Sequence, residues 1–168
     1  LAAAEDGSLT TEAGYAAQVE RVFDDPRTRA TIWQFYREWF RLERFAGFQA
    51  TRPAFQTLAE GENVGEPGHD HYGDMVQEID DLTSLVMWEQ DGTLADLLTT
   101  RQSVTSSEDL ARLYDVEPYT GGTYPTFPEG ERAGILQRAA LLANPLEQTN
   151  PFHRGAFIRR YILCDGLP

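Results

Sequence analysis

The chain contains no lysine: all 14 of its basic residues are arginines, set against 27 aspartates and glutamates, for a formal net charge of -13. Without a lysine amine, lysine Schiff-base chemistry and a lysine general base are excluded. A field of that sign repels phosphate backbones, so neither DNA nor RNA is an expected partner. Cysteine is almost as scarce. Cys164 stands alone, which rules out a disulfide within the chain, a C-x-x-C zinc pair and a C-x-x-C-H segment for covalent haem. Long apolar runs are missing too, because charges or amides interrupt residues 76–88 and 135–143. No stretch reaches the roughly 18 uninterrupted apolar residues of a membrane span. The first residues, Leu1-Ala-Ala-Ala-Glu5, carry neither an initiating Met nor the basic and apolar regions of a signal peptide. The expectation is a region that starts inside a longer protein.

What is present is enough to fold. A chain of 168 residues falls in the range of one domain, and a domain of that size buries roughly two thirds of the surface its unfolded chain exposes. Hydrophobic residues at 41% and aromatics at 11% supply more large apolar side chains than a disordered segment carries.

Apolar spacing is helical through most of the chain. Thr10 or Thr11 can cap a helix running through Ala16, Val19, Val22 and Phe23. Asp25-Pro26 then offers an N-cap and a first helical proline, followed by Ile32, Phe35, Tyr36, Trp39 and Phe40 on one stripe. That aromatic stripe reads as a core seam. A short helix is expected at 54–58 and a long one at 72–89, with Met75, Val76, Ile79, Leu82 and Val86 buried and Asp74, Glu78 and Asp81 along a solvated flank. Met75 and Met87 fall within this periodicity and read as core. Gly92 closes the helix. Further short helices are expected at 94–98 and 107–114, a Gly/Pro-rich loop with room for a short strand pair at 118–130, a helical stretch at 131–142, and a last helix opened by Asn150-Pro151 with Phe157, Ile158, Tyr161, Ile162 and Cys164 on one face.

Five features have the chemistry of a site. His69-Asp70-His71 is the one paired imidazole; in an extended loop two such histidines can close on a metal, with Glu66 or Asp74 adding oxygen, although two solvated histidines is the simpler reading. His153, in the first turn of the last helix, is a candidate axial ligand for a haem held by other segments. Asp74, Glu78 and Asp81 have spacing that acid/base chemistry or Ca²⁺ could use. Arg154, Arg159 and Arg160 form a basic cluster that reads as neutralising nearby carboxylates rather than gripping a phosphate or sulfated sugar. Cys164 reads as buried and inert, with a disulfide to a cysteine elsewhere in the longer protein as the alternative. Catalytic residues are not identifiable.

Two stretches carry a resemblance. The Asp25-Pro26-Arg27 helix start, the aromatic helix around Trp39 and Phe40, the helix ending Trp88-Glu89, the Asp91-Gly92-Thr93-Leu94 turn and the Leu110-Ala-Arg-Leu-Tyr114 helix are similar to domain-of-unknown-function family 1592. Arg132-Ala-Gly-Ile-Leu136, Thr149-Asn-Pro151, Arg154-Gly155, Arg159-Arg160 and Leu163-Cys164-Asp-Gly-Leu-Pro168 are similar to family 1588. The resemblance implies large envelope proteins of planctomycetes and myxobacteria, periplasmic or at the cell surface, often with a downstream cytochrome c segment. Family members often carry His-Ala-Asn before the last helix, where this chain has Ala143-Asn-Pro-Leu-Glu147, so no role for that histidine carries over.

The fold expected is all-α: an orthogonal domain of about six to eight helices, with a family-1592 part at 1–117, the Gly/Pro-rich connection at 118–130 and a family-1588 part at 131–168. The function expected is a non-catalytic scaffold or interaction region of a larger c-type-haem protein engaged in electron transfer. Its partners would be the remaining segments of that protein and a redox partner. The alternative is one wall of an oxidoreductase or carbohydrate-processing site completed by other segments.

Overall fold

The computed structural model describes residues 1–45, 71–143 and 151–166. Among these the chain is helical, with eight α-helices, short 3-10 turns and no strand. It forms two compact units, Leu1–Tyr36 and Arg37–Pro168.

In the first unit, α1 (Ala2–Glu5) leads through a 3-10 turn at Ser8–Thr10 into α2 (Glu12–Phe23). Thr11 caps α2 as expected, its hydroxyl accepting from the Gly14 amide at 3.1 Å. At the start of α3 (Pro26–Trp39), Asp25 accepts from the Arg27 amide at 2.9 Å. The expected core seam of α3 is only partly realised. Phe35 is 53% exposed, and burial becomes complete only at Phe40, just past the helix end.

The second unit is built on α4 (His71–Ser84), which runs on through a π turn at Leu85–Glu89. Met75, Val76, Ile79, Leu82, Leu85 and Val86 are all buried, each contributing on the order of 1.5–3 kcal/mol through burial. α5 (Leu94–Thr99) is opened by a capping box in which Thr93 and Asp96 satisfy each other's backbone amides. α6 (Glu108–Tyr114) is capped by Ser107. The Gly/Pro-rich segment after α6 is pinned rather than loose. Ser103 N–H donates to Pro125 O at 2.7 Å and Phe127 N–H to Arg101 O at 2.8 Å, around an antiparallel bridge between Gln102 and Thr126.

The helix expected at 131–142 is shorter. A 3-10 turn at Ile135–Gln137 and α7 (Ala139–Leu142) replace it, and Gly134 is the reason. Its φ is 63°, its amide donates to Thr100 O at 2.7 Å, and a Cβ placed there would lie 1.9 Å from the Leu98 carbonyl oxygen. The chain must leave helical geometry there to pass so close to the end of α5. α7 packs on α4 and on the 3-10 turn Leu42–Phe45. α8 (Pro151–Phe157) continues through a second π turn, Ile158–Ile162. Trp39 Nε1 donates to Tyr161 O at 2.7 Å, fixing the end of α3 to this turn.

Besides Arg41 (φ 53°), just beyond α3, three helices end on a left-handed residue that is not glycine: Asp91 after α4 (φ 48°), Asp115 after α6 (φ 55°) and Cys164 after α8 (φ 53°). The next amide folds back in each case, Gly92 N–H to Val86 O, Val116 N–H to Ala111 O and Asp165 N–H to Arg159 O, at 2.7, 3.0 and 2.9 Å. These are left-handed caps, widened after the two π turns. The expected helix at 54–58 lies outside the described residues.

Candidate functional site

Ionisable side chains in the core of the second unit come from three parts of the chain. Glu78 from α4, Tyr114 from the end of α6 and Arg138 just before α7 are 1%, 2% and 1% exposed. Arg138 Nη1 lies 3.3 Å from Glu78 Oε1, its Nη2 donates to Gln102 O at 2.7 Å and its Nε to Gly134 O at 3.2 Å. The Tyr114 hydroxyl donates to Glu78 Oε2 at 2.5 Å and accepts from the Ala139 amide at 2.8 Å. The guanidinium lies 4.6 Å from the Phe127 ring centre, and Phe127 meets Tyr114 edge to face at 5.4 Å. Arg138 thus ties α4, the 101–103 segment and the Gly134 turn together.

Burial pushes the Glu78 carboxyl above its ordinary range, while the Arg138 charge and the Tyr114 and Arg138 hydrogen bonds pull it back. Tyr114 is pushed well above the usual phenol value, by burial first and by the Glu78 carboxylate second. A carboxylate, a phenol and a guanidinium in contact are the ingredients of acid/base chemistry. With all three almost wholly inaccessible, they act here as a structural clasp.

This corrects the expectation of a solvated acidic flank on α4. Glu78 is buried, and Asp74 accepts from the Ser107 hydroxyl at 2.7 Å, which joins α4 to the start of α6. Asp81 accepts from the Gln77 side-chain amide on its own helix at 2.8 Å. Asp80, beside it, is held up at about 6 by burial and by the neighbouring Asp81.

Of the predicted metal set, His69 and Asp70 lie outside the described residues. His71 is buried at the start of α4, with Nδ1 3.7 Å from Asp109 Oδ2; Asp109 also receives Arg112 at 2.9 Å. This arrangement gives His71 a carboxylate neighbour within the fold. Among the described residues, no three His, Cys, Asp or Glu side chains converge as metal ligands.

His153 is exposed on α8 and lines a cleft with Arg41, Arg44 and Arg160. The expected arginine cluster therefore divides. Arg159 pairs with Asp165 at 2.9 Å, Arg154 donates to Leu142 O at 3.1 Å, and Arg160 turns to the cleft. Cys164 is exposed, not buried, because the chain has already left helical geometry at that residue. Two further aromatic side chains are engaged close to home. Trp39 stacks on Phe40 at 4.8 Å, and Tyr119 stacks on Tyr124 at 4.2 Å, whose hydroxyl donates to Glu89 at 3.1 Å.

The clasp was missed by sequence reasoning, although a signal existed. Glu78 sits three residues after Met75 and four before Leu82, on the buried stripe itself, and Arg138 is the lone charge within the apolar run 135–143. One acid and one base, each stranded on an apolar face, are candidates to meet.

No curated protein and no solved structure matches the chain. A family model, described as protein of unknown function (DUF1592), matches residues 1–116. These residues run from α1 through α6 and include Glu78 and Tyr114 of the clasp, while Arg138 lies beyond them. On that match the chain belongs to the DUF1592 family.

Proposed function

We propose that this chain is a non-catalytic scaffold and interaction region of a larger extracytoplasmic protein that carries c-type haem and takes part in electron transfer. The observation that carries the interaction reading is the apolar face of α2. Tyr15, Val19, Val22 and Phe23 recur at helical spacing on it and remain 43–61% exposed, and α2 buries no residue at all. An exposed apolar stripe of this kind marks a surface that another polypeptide covers. Closure of the Glu78–Tyr114–Arg138 cluster supports the non-catalytic part, since the best acid/base group among the described residues has no face open to a substrate.

Haem and an envelope location rest on the resemblance to families 1592 and 1588. The chain's own residues do not fit covalent haem attachment, because Cys164 has no partner cysteine and no C-x-x-C-H exists. Any haem would be held by other segments of the larger protein, which would be this region's first partner.

Two measurements test the proposal. An absorption spectrum with pyridine haemochrome analysis of the protein as its native host makes it should show c-type bands; a featureless spectrum would sink the electron-transfer reading. The paired substitution Val19→Asp and Val22→Asp should leave the stability of this chain nearly unchanged, within about 0.5 kcal/mol for exposed sites, while abolishing its retention by the other segments in a pull-down. Retention unaffected by both charges would refute α2 as the interaction face.

A further inference from the structure

Residues 118–125 read Pro-Tyr-Thr-Gly-Gly-Thr-Tyr-Pro, the same in both directions. Gly121 and Gly122 hold positive φ values of 103° and 83°, which turn the chain back on itself in a way residues with a Cβ resist. Both arms are anchored on the segment before α6, Tyr119 N–H donating to Thr105 O at 2.8 Å and Ser103 N–H to Pro125 O at 2.7 Å. Tyr119 and Tyr124 are thereby held against each other, ring centres 4.2 Å apart and planes 18° from parallel.

The two hydroxyls share a hydrogen bond, and that of Tyr124 also donates to Glu89 Oε2 at 3.1 Å. With both hydroxyls at one end of a near-parallel pair, the ring carbons that flank them face one another. The bond to Tyr119, then burial, then Glu89, hold the Tyr124 phenol protonated above its ordinary range. Loss of an electron from it must therefore release a proton, and Glu89 stands in place to accept one. Neither ring is sealed in the core, since both residues are only half-buried. Groups fixed in this way meet at a high effective concentration. Cys164, the sole cysteine, cannot cross-link this chain internally, but two phenols can.

We propose that Tyr119 and Tyr124 are a site of oxidative modification, an ortho–ortho dityrosine that closes the 119–124 loop covalently. Each phenol gives one electron and one proton to a peroxide-charged one-electron oxidant of the haem-peroxidase class. The two radicals join through a new C–C bond, and the ring hydrogens displaced there restore the hydroxyls. In sum, two tyrosines and one hydrogen peroxide become one dityrosine and two waters. The site is independent of the scaffold reading, since it involves neither α2 nor haem in the larger protein.

Treatment of the dilute chain with a peroxidase and hydrogen peroxide tests it. The expected product is a monomeric chain with dityrosine fluorescence. Its tryptic peptide Leu113–Arg132 should be lighter by two hydrogen atoms and give no backbone fragments between residues 119 and 124. Tyr119→Phe and Tyr124→Phe should each abolish that product. Tyr15→Phe, at a tyrosine 61% exposed in the first unit, should leave its yield unchanged. Glu89→Gln should slow its formation several-fold without changing its identity; an unchanged rate would overturn the proton path. A cross-link that persists in Tyr119→Phe, that joins only separate chains, or that never forms within residues 113–132 overturns the proposal.

Discussion

Replacing Arg138 by methionine would leave Glu78 buried, with its carboxylate facing only the Tyr114 hydroxyl. Removing one partner from a buried ion pair costs about 3–5 kcal/mol, because the remaining charge has no compensation. The carbonyls of Gln102 and Gly134, now served by Arg138 at 2.7 and 3.2 Å, would also lose their donor. The expected loss is therefore at the upper end of that range at neutral pH. It should depend on pH with a definite sign. Burial already raises the folded-state Glu78 value above its ordinary 4.5, and deleting Arg138 removes the opposing pull, so the folded value rises further. A raised folded value means that the variant's deficit is smallest below about pH 4.5, where the carboxyl is protonated folded or unfolded, and grows as pH rises through the folded value. Urea unfolding followed by circular dichroism at pH 4.5 and pH 7.5 reads both effects. Adding Glu78→Leu to Arg138→Met should recover a substantial part of the loss at pH 7.5, with a coupling energy of at least about 2 kcal/mol. A single-variant cost under about 1 kcal/mol, a cost equal at the two pH values, or simple additivity in the double variant would refute the clasp.

Tyr114→Phe should lower stability by about 1–3 kcal/mol, because the Ala139 amide and Glu78 lose a shared hydroxyl; an unchanged urea midpoint would contradict this. Gly134→Ala places a methyl where the Leu98 carbonyl stands 1.9 Å away, at a φ of 63°. A loss of at least about 2 kcal/mol in thermal unfolding is expected, and a neutral result would mean that the Gly134 turn is placed wrongly. Asp80 is held at about 6 by burial and Asp81, so its ionisation works against the fold as pH rises through that value. Asp80→Asn should therefore unfold at higher urea than the parent at pH 7.5 and at the same urea at pH 4; equal midpoints at both would refute it.

Helix placement was legible wherever periodicity and caps agreed. Thr11, Asp25, Thr93 and Ser107 each stand at a helix start where their side chains satisfy an early amide, and such caps are written in local sequence. The long α4 was equally plain from its apolar stripe. What failed was long-range. Nothing local says that residue 134 passes against Leu98, so the predicted helix at 131–142 ran through a position that is not helical. Phe35 illustrates the opposite error, since apolar spacing predicts a face and not what covers it; the face of α3 is closed at Phe40 but open at Phe35. Glu78 was assigned to solvent because a charge on a stripe normally is, and only the arrival of Arg138, 60 residues later, makes its burial tolerable. The arginine cleft was only partly visible, because Arg41 and Arg44 are far in sequence from Arg160 and His153, and the contacts with Phe157 and Tyr161 are what bring them together.

The three left-handed caps leave room for engineering. Asp91, Asp115 and Cys164 hold positive φ values that glycine adopts without steric penalty, and an L-residue in that region costs on the order of 1 kcal/mol. A chain that keeps ordinary residues at all three ends has untapped thermal headroom: Asp115→Gly and Asp91→Gly are routes to a hardier protein for crystallisation or labelling, neither touching the clasp or the arginine cleft. Cys164 could be left as it is, since its exposed thiol is a single ready-made attachment point for a fluorophore or spin label on a chain that has no lysine to compete for the reagent.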